Sequence, residues 1–160
     1  MSNLDLIDQA LLQTVAEAGA ASSRRRKNHN FHAADNSVCH RLLNAMEPDS
    51  YIQPHCHLDP DKDETILILR GKIGMVLFSA EGEVTGTALL EAGGDNIGIT
   101  LPHGQFHSLI SLEAGSVFFE AKAGPYMPLS QQEKAAWAPA EGEPGVNAYH
   151  KKLEKLFVSQ

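Results

Sequence analysis

Apolar residues recur at helical spacing at the start of the chain, at Leu4, Ile7, Leu11, Leu12 and Val15, which places one face of a helix against a core. Ser2 with Asp5 offers a capping box and Gly19 a stop, so the pattern predicts an N-terminal amphipathic helix over residues 1–20. Residues 20–37 hold no sustained period. They contain Arg24-Arg25-Arg26-Lys27 and then Asn28-His29-Asn30-Phe31-His32, and read as an irregular segment crossing the surface. From residue 38 the pattern shortens to that of strands. Val38–Glu47 and Tyr51–His57 are separated by the turn signal Glu47-Pro48-Asp49-Ser50, and they are followed by Glu64–Arg70, Lys72–Ser79, Glu83–Leu90, Asn96–Leu101, Phe106–Leu112 and Ser116–Ala123.

The connectors between these strands carry glycine, as at Gly71, Gly82, Gly93-Gly94, Gly104 and Gly115. Many short strands at even spacing with no helices between them predict an antiparallel sandwich or barrel, not a parallel sheet. Its core would span residues 38–124. Beyond Gly124-Pro125 the pattern changes again: Ser130–Trp137 reads as a short helix stopped by Pro139, and Ala148–Val158 as a terminal helix, together a helical extension over 130–158. At 160 residues the chain has the size of a single domain, 1–160, with enough length to bury a core.

Composition narrows the function. A net charge of -7, with the run Arg24–Lys27 as the only basic cluster, argues against a nucleic-acid partner. The N-terminus lacks a signal-peptide pattern and no apolar run approaches the roughly 20 residues that span a bilayer, so the expectation is a cytoplasmic protein without a membrane partner. Cys39 and Cys56, the two cysteines, are too few for a disulfide framework.

The chemistry concentrates in His55-Cys56-His57, in the acidic stretch Asp59-Pro60-Asp61-Lys62-Asp63-Glu64, and in Pro102-His103-Gly104-Gln105-Phe106-His107. Two imidazoles one residue apart share a face of an extended segment and can address one ion, while Cys56 points the other way. Glu64 opens the next strand and can fold back beside them, and the later turn can supply a third imidazole. The set is a candidate site of three His and one Glu.

These residues resemble the cupin motifs. The first is His-x-His, a spacer, Glu, six residues and Gly, matched by His55, His57, Glu64 and Gly71; the second ends in Pro-x-Gly-x-x-His, matched by Pro102, Gly104 and His107. The spacer from His57 to Glu64 is longer than the usual cupin spacer, which leaves Asp61 and Asp63 as rival ligands, and Ser111 stands where the second motif often has Asn. More of the chain, about residues 24–150, is similar to the cupin-fold metalloproteins of the WbuC family. The stretches are Arg26–His32, His40-Arg41-Leu42-Leu43-Asn44-Ala45, Tyr51–His55, Gly124-Pro125-Tyr126 and Trp137-Ala138-Pro139 with Glu141-Gly142. The resemblance implies a mainly β fold, a small jelly-roll (double-stranded β-helix) barrel, with His55, His57, Glu64 and His107 holding one divalent metal ion. It also implies a link to bacterial surface polysaccharide.

Three imidazoles and a carboxylate leave positions open on an ion, and the mixed donors suit Fe, Mn, Ni, Co, Zn or Cu. An open cationic site fits a metal-dependent enzyme acting on a small oxygen-rich or anionic substrate, a sugar derivative or an oxo acid. The alternatives are a non-catalytic metal-dependent sugar- or carboxylate-binding module and a structural metalloprotein with a closed site. Candidates for proton transfer are Glu120, His32 and Asp63. Arg25, Arg26 and Arg41 are candidates for holding a substrate anion, because the guanidinium fork matches carboxylate and phosphate. A small-molecule ligand is expected, and a homodimer made by strand-edge pairing.

Overall fold

In Glu64–Arg70 the side chains of Glu64, Ile66 and Ile68 are buried while Thr65 and Leu67 between them are more exposed, the period of two of a strand with one face on a core. The computed structural model describes residues 4–158, with strands β1 (Arg26–Asn30), β2 (Cys39–Met46), β3 (Glu64–Arg70), β4 (Lys72–Phe78), β5 (Val84–Glu91), β6 (Gly98–Leu101), β7 (Phe106–Ser111) and β8 (Ser116–Ala123). The strands form two antiparallel sheets, ordered β1-β2-β8-β3-β6 and β5-β4-β7. They face each other as a small jelly-roll barrel. Met46, Ile66, Ile68, Met75, Leu109 and Phe118 pack between the sheets.

Each outer face is covered by helix. Leu12, Val15 and Ala16 of α1 (Gln9–Ala21) pack on Leu43, Ala45 and Val117 of the five-stranded sheet, each fully buried Leu or Val contributing about 1.5–3 kcal/mol. Leu153 of α2 (Val146–Glu154) and Phe157 of the following 3-10 turn cover Val76, Phe78 and Ile110 on the other sheet. Glycines close the corners. Gly71 sits at φ 76°, and a Cβ there would lie 2.3 Å from Ser116 Oγ, so both conformation and space demand glycine. No described helix is long and apolar enough to cross a membrane.

Four segments differ from the sequence expectation. The first helix begins at Gln9, where Asp8 Oδ1 accepts from Leu11 N at 2.9 Å and caps it; Leu4, Leu6 and Ile7 stay exposed, and the expected capping box begins at Ser2, outside the described residues. Gly19 does not end the helix, which runs to Ala21. It lies instead where a Cβ would be 2.8 Å from Ala45 Cβ, so it lets helix and sheet approach. Arg26–Asn30, read as irregular, is an edge strand paired with β2; its mostly exposed side chains leave no alternation to detect. Tyr51–His57 is not a strand, since only His55 forms bridges, and Ser130–Trp137 forms turns in place of a helix.

Candidate metal centre

The His55–His57 segment is held between two neighbours. On one side His55 N donates to His107 O at 3.0 Å and His107 N to His55 O at 2.9 Å; on the other, Cys56 N donates to Glu133 O at 2.9 Å and Ala135 N to Pro54 O at 2.9 Å. Held this way, the extended segment still alternates its side chains, and Cys56 is fully buried away from the imidazoles. The turn before β7 is closed by Gly104, at φ 77°, whose N–H donates to His57 O at 2.6 Å. The same turn therefore carries His107 and ties down His57.

Glu64 arrives from β3, where its register partners are Leu101 and Lys122. Its Oε1 lies 3.0 Å from His57 Nε2 and its Oε2 3.2 Å from His107 Nε2. The ring centroids of His55 lie 5.5 Å from His57 and 4.7 Å from His107. The structure thus brings His55, His57, Glu64 and His107 together. Asp61 and Asp63 are exposed: Asp63 Oδ1 instead accepts from His103 N at 2.8 Å and pairs with His103 Nδ1 at 2.9 Å. Lys62 Nζ, bonded to Pro125 O at 3.0 Å, anchors that loop.

Tautomer and spacing bear on whether these donors can take a divalent ion. His55 Nδ1 meets Gln53 O and His107 Nδ1 meets Gln105 O, each at 3.0 Å. A carbonyl oxygen only accepts, so both Nδ1 atoms carry hydrogen and Nε2 is the position each ring leaves for an ion. His107 Nε2 then faces a carboxylate oxygen, a contact completed by a proton or a cation between them. Donors about 2.1 Å from one ion at right angles stand about 3 Å apart, which is the spacing of Glu64 to both rings. Among the described residues no group of three or more His, Cys, Asp or Glu side chains is arranged to hold a metal ion; Glu64 closes directly onto the His57 and His107 imidazoles.

Charge is arranged around this carboxylate. Burial pushes the Glu64 carboxyl up, but the hydrogen bonds from His107 and His57 and the Lys122 ammonium outweigh burial and hold it well below the usual carboxylate range. Burial and the neighbouring His107 push His55 down to about 3, so its ring is neutral near pH 7. Lys122 Nζ sits 2.9 Å from Glu64 Oε1 and 2.7 Å from Glu120 Oε1. Burial opposes its charge, yet Glu120 and Glu64 keep it above the ordinary lysine range. Asn44 Nδ2 donates to Glu120 Oε2 at 2.9 Å.

A cavity of about 280 Å³ opens beside these groups, walled by His55, Glu64, His107, Glu120 and Lys122 and reached by Arg24, Arg26 and Lys27. Arg24 and Arg26 both grip Glu141, each at 2.7 Å, and these bonds bring the Glu141 carboxyl down to about 2. Of the sequence candidates, Glu120 lies on the cavity wall. His32 stacks on His40 with centroids 3.9 Å apart, in a neighbouring cavity, and Asp63 lies outside. Arg25 turns away to Asp49, at 3.0 Å, and to Ala20 O. Arg41 is exposed, on the sheet face opposite to Leu42 and Asn44. Lys122 is not among the sequence candidates, and Asn44 and Glu141 enter there only within the stretches that carry the family resemblance, with no role of their own. Lys122 was within reach, since it follows Glu120 by two on a strand and must share its face.

The fold is a small jelly-roll barrel in which these side chains gather where β3 begins beside the end of β6 and the late residues of β8. The chain belongs to the family described as Domain of unknown function (DUF6016), whose model matches residues 7–90. No curated protein matches it in sequence. Solved structures similar in fold include KdgF from Halomonas sp., 13% identical with a TM-score of 0.51 over 67% of this chain and 85% of that one. A conserved protein of unknown function from Streptococcus pyogenes is 12% identical, TM-score 0.53, over 79% and 93%. The capsular polysaccharide assembling protein CapF from Staphylococcus aureus is 15% identical, TM-score 0.53, over 71% of this chain and 32% of its own. At these identities the likeness concerns the fold.

Proposed function

We propose that this chain is a metal-binding cupin, in which His55, His57, His107 and Glu64 hold one divalent ion, and that it acts as a metal-dependent enzyme on a small anionic or oxygen-rich substrate. The observation that carries this reading is the pair of Nδ1–carbonyl hydrogen bonds at His55 and His107, which turn both Nε2 atoms toward the Glu64 side of the cavity. A divalent ion there would supply Lewis-acid polarisation of a bound oxygen. The chain's own residues set the rest. Lys122, Arg24, Arg26 and Lys27 make the cavity and its mouth positive in an acidic protein, which favours carboxylates, phosphates and sugar acids.

The similarity to the WbuC family and the fold shared with CapF, a capsular polysaccharide assembling protein, support a place in bacterial surface-polysaccharide metabolism, in the cytoplasm. One observation favours a second reading, a non-catalytic sugar- or carboxylate-binding module: both carboxylates on the cavity wall, Glu64 and Glu120, are paired to Lys122, so neither is a free proton carrier. Elemental analysis of the purified protein, followed by turnover assays on sugar nucleotides with the ion loaded, separates the readings. Stoichiometric metal with turnover supports the enzyme, metal with binding alone supports the module, and no metal under any divalent supply overturns both.

A further inference from the structure

Beyond the apolar core formed by Met46, Ile66, Ile68 and Phe118, part of the inner face of the five-stranded sheet turns polar. Asn28 and Asn30 on β1, His40 and Asn44 on β2, and Glu120 and Lys122 on β8 occupy inward positions in register with one another. The buried members of this set, His40 and Glu120, cost stability unless hydrogen-bonded, while Asn28 and Asn30 lie open to solvent and to a ligand. Asn28 Nδ2 donates to Asn30 Oδ1 at 2.7 Å, and Asn44 Nδ2 to Glu120 Oε2. Among the described residues, Asn28 Oδ1, Asn44 Oδ1 and Asn30 Nδ2 take part in no hydrogen bond. Glu120 Oε1, buried beside Lys122 Nζ, has no aligned hydrogen bond among the described residues. Lys122 has three N–H donors, of which one is bonded to Glu64 Oε1. Acceptors and donors thus both line this wall, which suits hydroxyl groups, each of which both gives and takes a hydrogen bond.

The wall is also long. A second cavity of about 350 Å³ shares Asn28, Asn44, Glu120 and Lys122 with the one beside the imidazoles and runs on to His40 and the exposed ring of Tyr126. Glu64 and His40 flank Lys122 on opposite sides in the sheet register, two strand spacings or about 9–10 Å apart, more than one sugar ring spans. We propose that the two cavities form one trough that binds a carbohydrate of at least two rings. The inner ring lies against Asn44, Glu120 and Lys122, and the outer ring against Asn30, His40 and Tyr126, whose aromatic face suits the C–H side of a sugar. The proposal rests on the reading above only for what happens at the inner end; the trough itself needs no ion.

The test is an NMR titration of the full chain, following asparagine side-chain amides, with glucose and glucuronic acid as single rings and with maltose, cellobiose and the hyaluronan disaccharide as double rings. Saturable shifts at Asn28, Asn30 and Asn44, with at least one disaccharide bound tenfold or more tighter than its single rings, are expected. Asn30→Ala should weaken the disaccharide severalfold and leave the single ring unchanged. Glu120→Gln, whose amide must turn its oxygen to Asn44 and its NH2 to the trough, should weaken both. Metal content is measured on the same samples, and His55→Ala provides the control: loss of metal with the disaccharide still bound leaves the trough standing, whether or not the metal reading survives. Equal affinity for one and two rings, absence of disaccharide binding, or indifference to both Asn30→Ala and Glu120→Gln overturns the proposal.

Discussion

His55 and His107 exchange both of their backbone hydrogen bonds, at 3.0 and 2.9 Å, so two imidazoles far apart in sequence are fixed side by side by the main chain and not by their own contacts. Each ring is then steered by the same bond, Nδ1 to the carbonyl oxygen two residues before it, at Gln53 and Gln105. Rings oriented this way need little reorganisation to take up an ion.

His55→Ala, His57→Ala and His107→Ala should each strip most of the bound metal, measured by elemental analysis after dialysis, because removing one of four protein donors lowers affinity sharply. Glu64→Gln should lose less, since its amide oxygen remains a donor.

Cys56→Ser should retain metal while losing about 1–3 kcal/mol of stability in denaturant titrations, because it puts a hydroxyl into a fully buried position. Metal loss as complete as in His57→Ala would make Cys56 a participant in the site.

Arg26→Ala should weaken citrate binding about tenfold or more in calorimetry with metal loaded, the scale of one lost charge-assisted contact. Arg25→Ala should leave citrate unaffected, because Arg25 points to Asp49. Metal content should not change in either.

The Glu141 carboxyl, held down to about 2 by Arg24 and Arg26, sits below its ordinary value near 4.5. A depressed pKa contributes stability that is full above the unfolded value and lost as pH falls through the folded one. The melting temperature of the parent should therefore exceed that of Glu141→Gln at pH 6, with the gap closing between about pH 4.5 and 2.

Gly71→Ala should destabilise the fold by at least about 1 kcal/mol in denaturant titrations, from the positive φ alone. The contact with Ser116 adds to this, and Gly71→Ala with Ser116→Ala should recover part of the loss.

The strands from Glu64 to Ala123 were legible because their apolar alternation and glycine corners are local signals, written within a few residues of one another. The motif residues were legible for the same reason: His55 and His57 share a face by alternation, Glu64 opens a strand, and Gly104 sets the turn before His107. β1 was not, since an edge strand with solvent on most of its side chains carries no alternation. Nor was the 130–137 segment, whose turns are set by Glu133, with its carboxylate on Ser130 and Leu58 N, and by its pairing to His55.

By itself the sequence determined the barrel class, the glycine corners and the residues capable of forming the site, because each depends on side-chain period and backbone permissiveness within a short stretch. Only the tertiary structure decided that Glu64 and not Asp61 or Asp63 meets the imidazoles, that Lys122 bridges Glu64 and Glu120, and that Arg24 and Arg26 reach the cavity while Arg25 and Arg41 do not. Those outcomes depend on which residue of one strand lies opposite which residue of another. Pairing across β2, β8 and β3 is fixed by packing of the whole sheet against its partner sheet and α1, and no local stretch of the chain contains it.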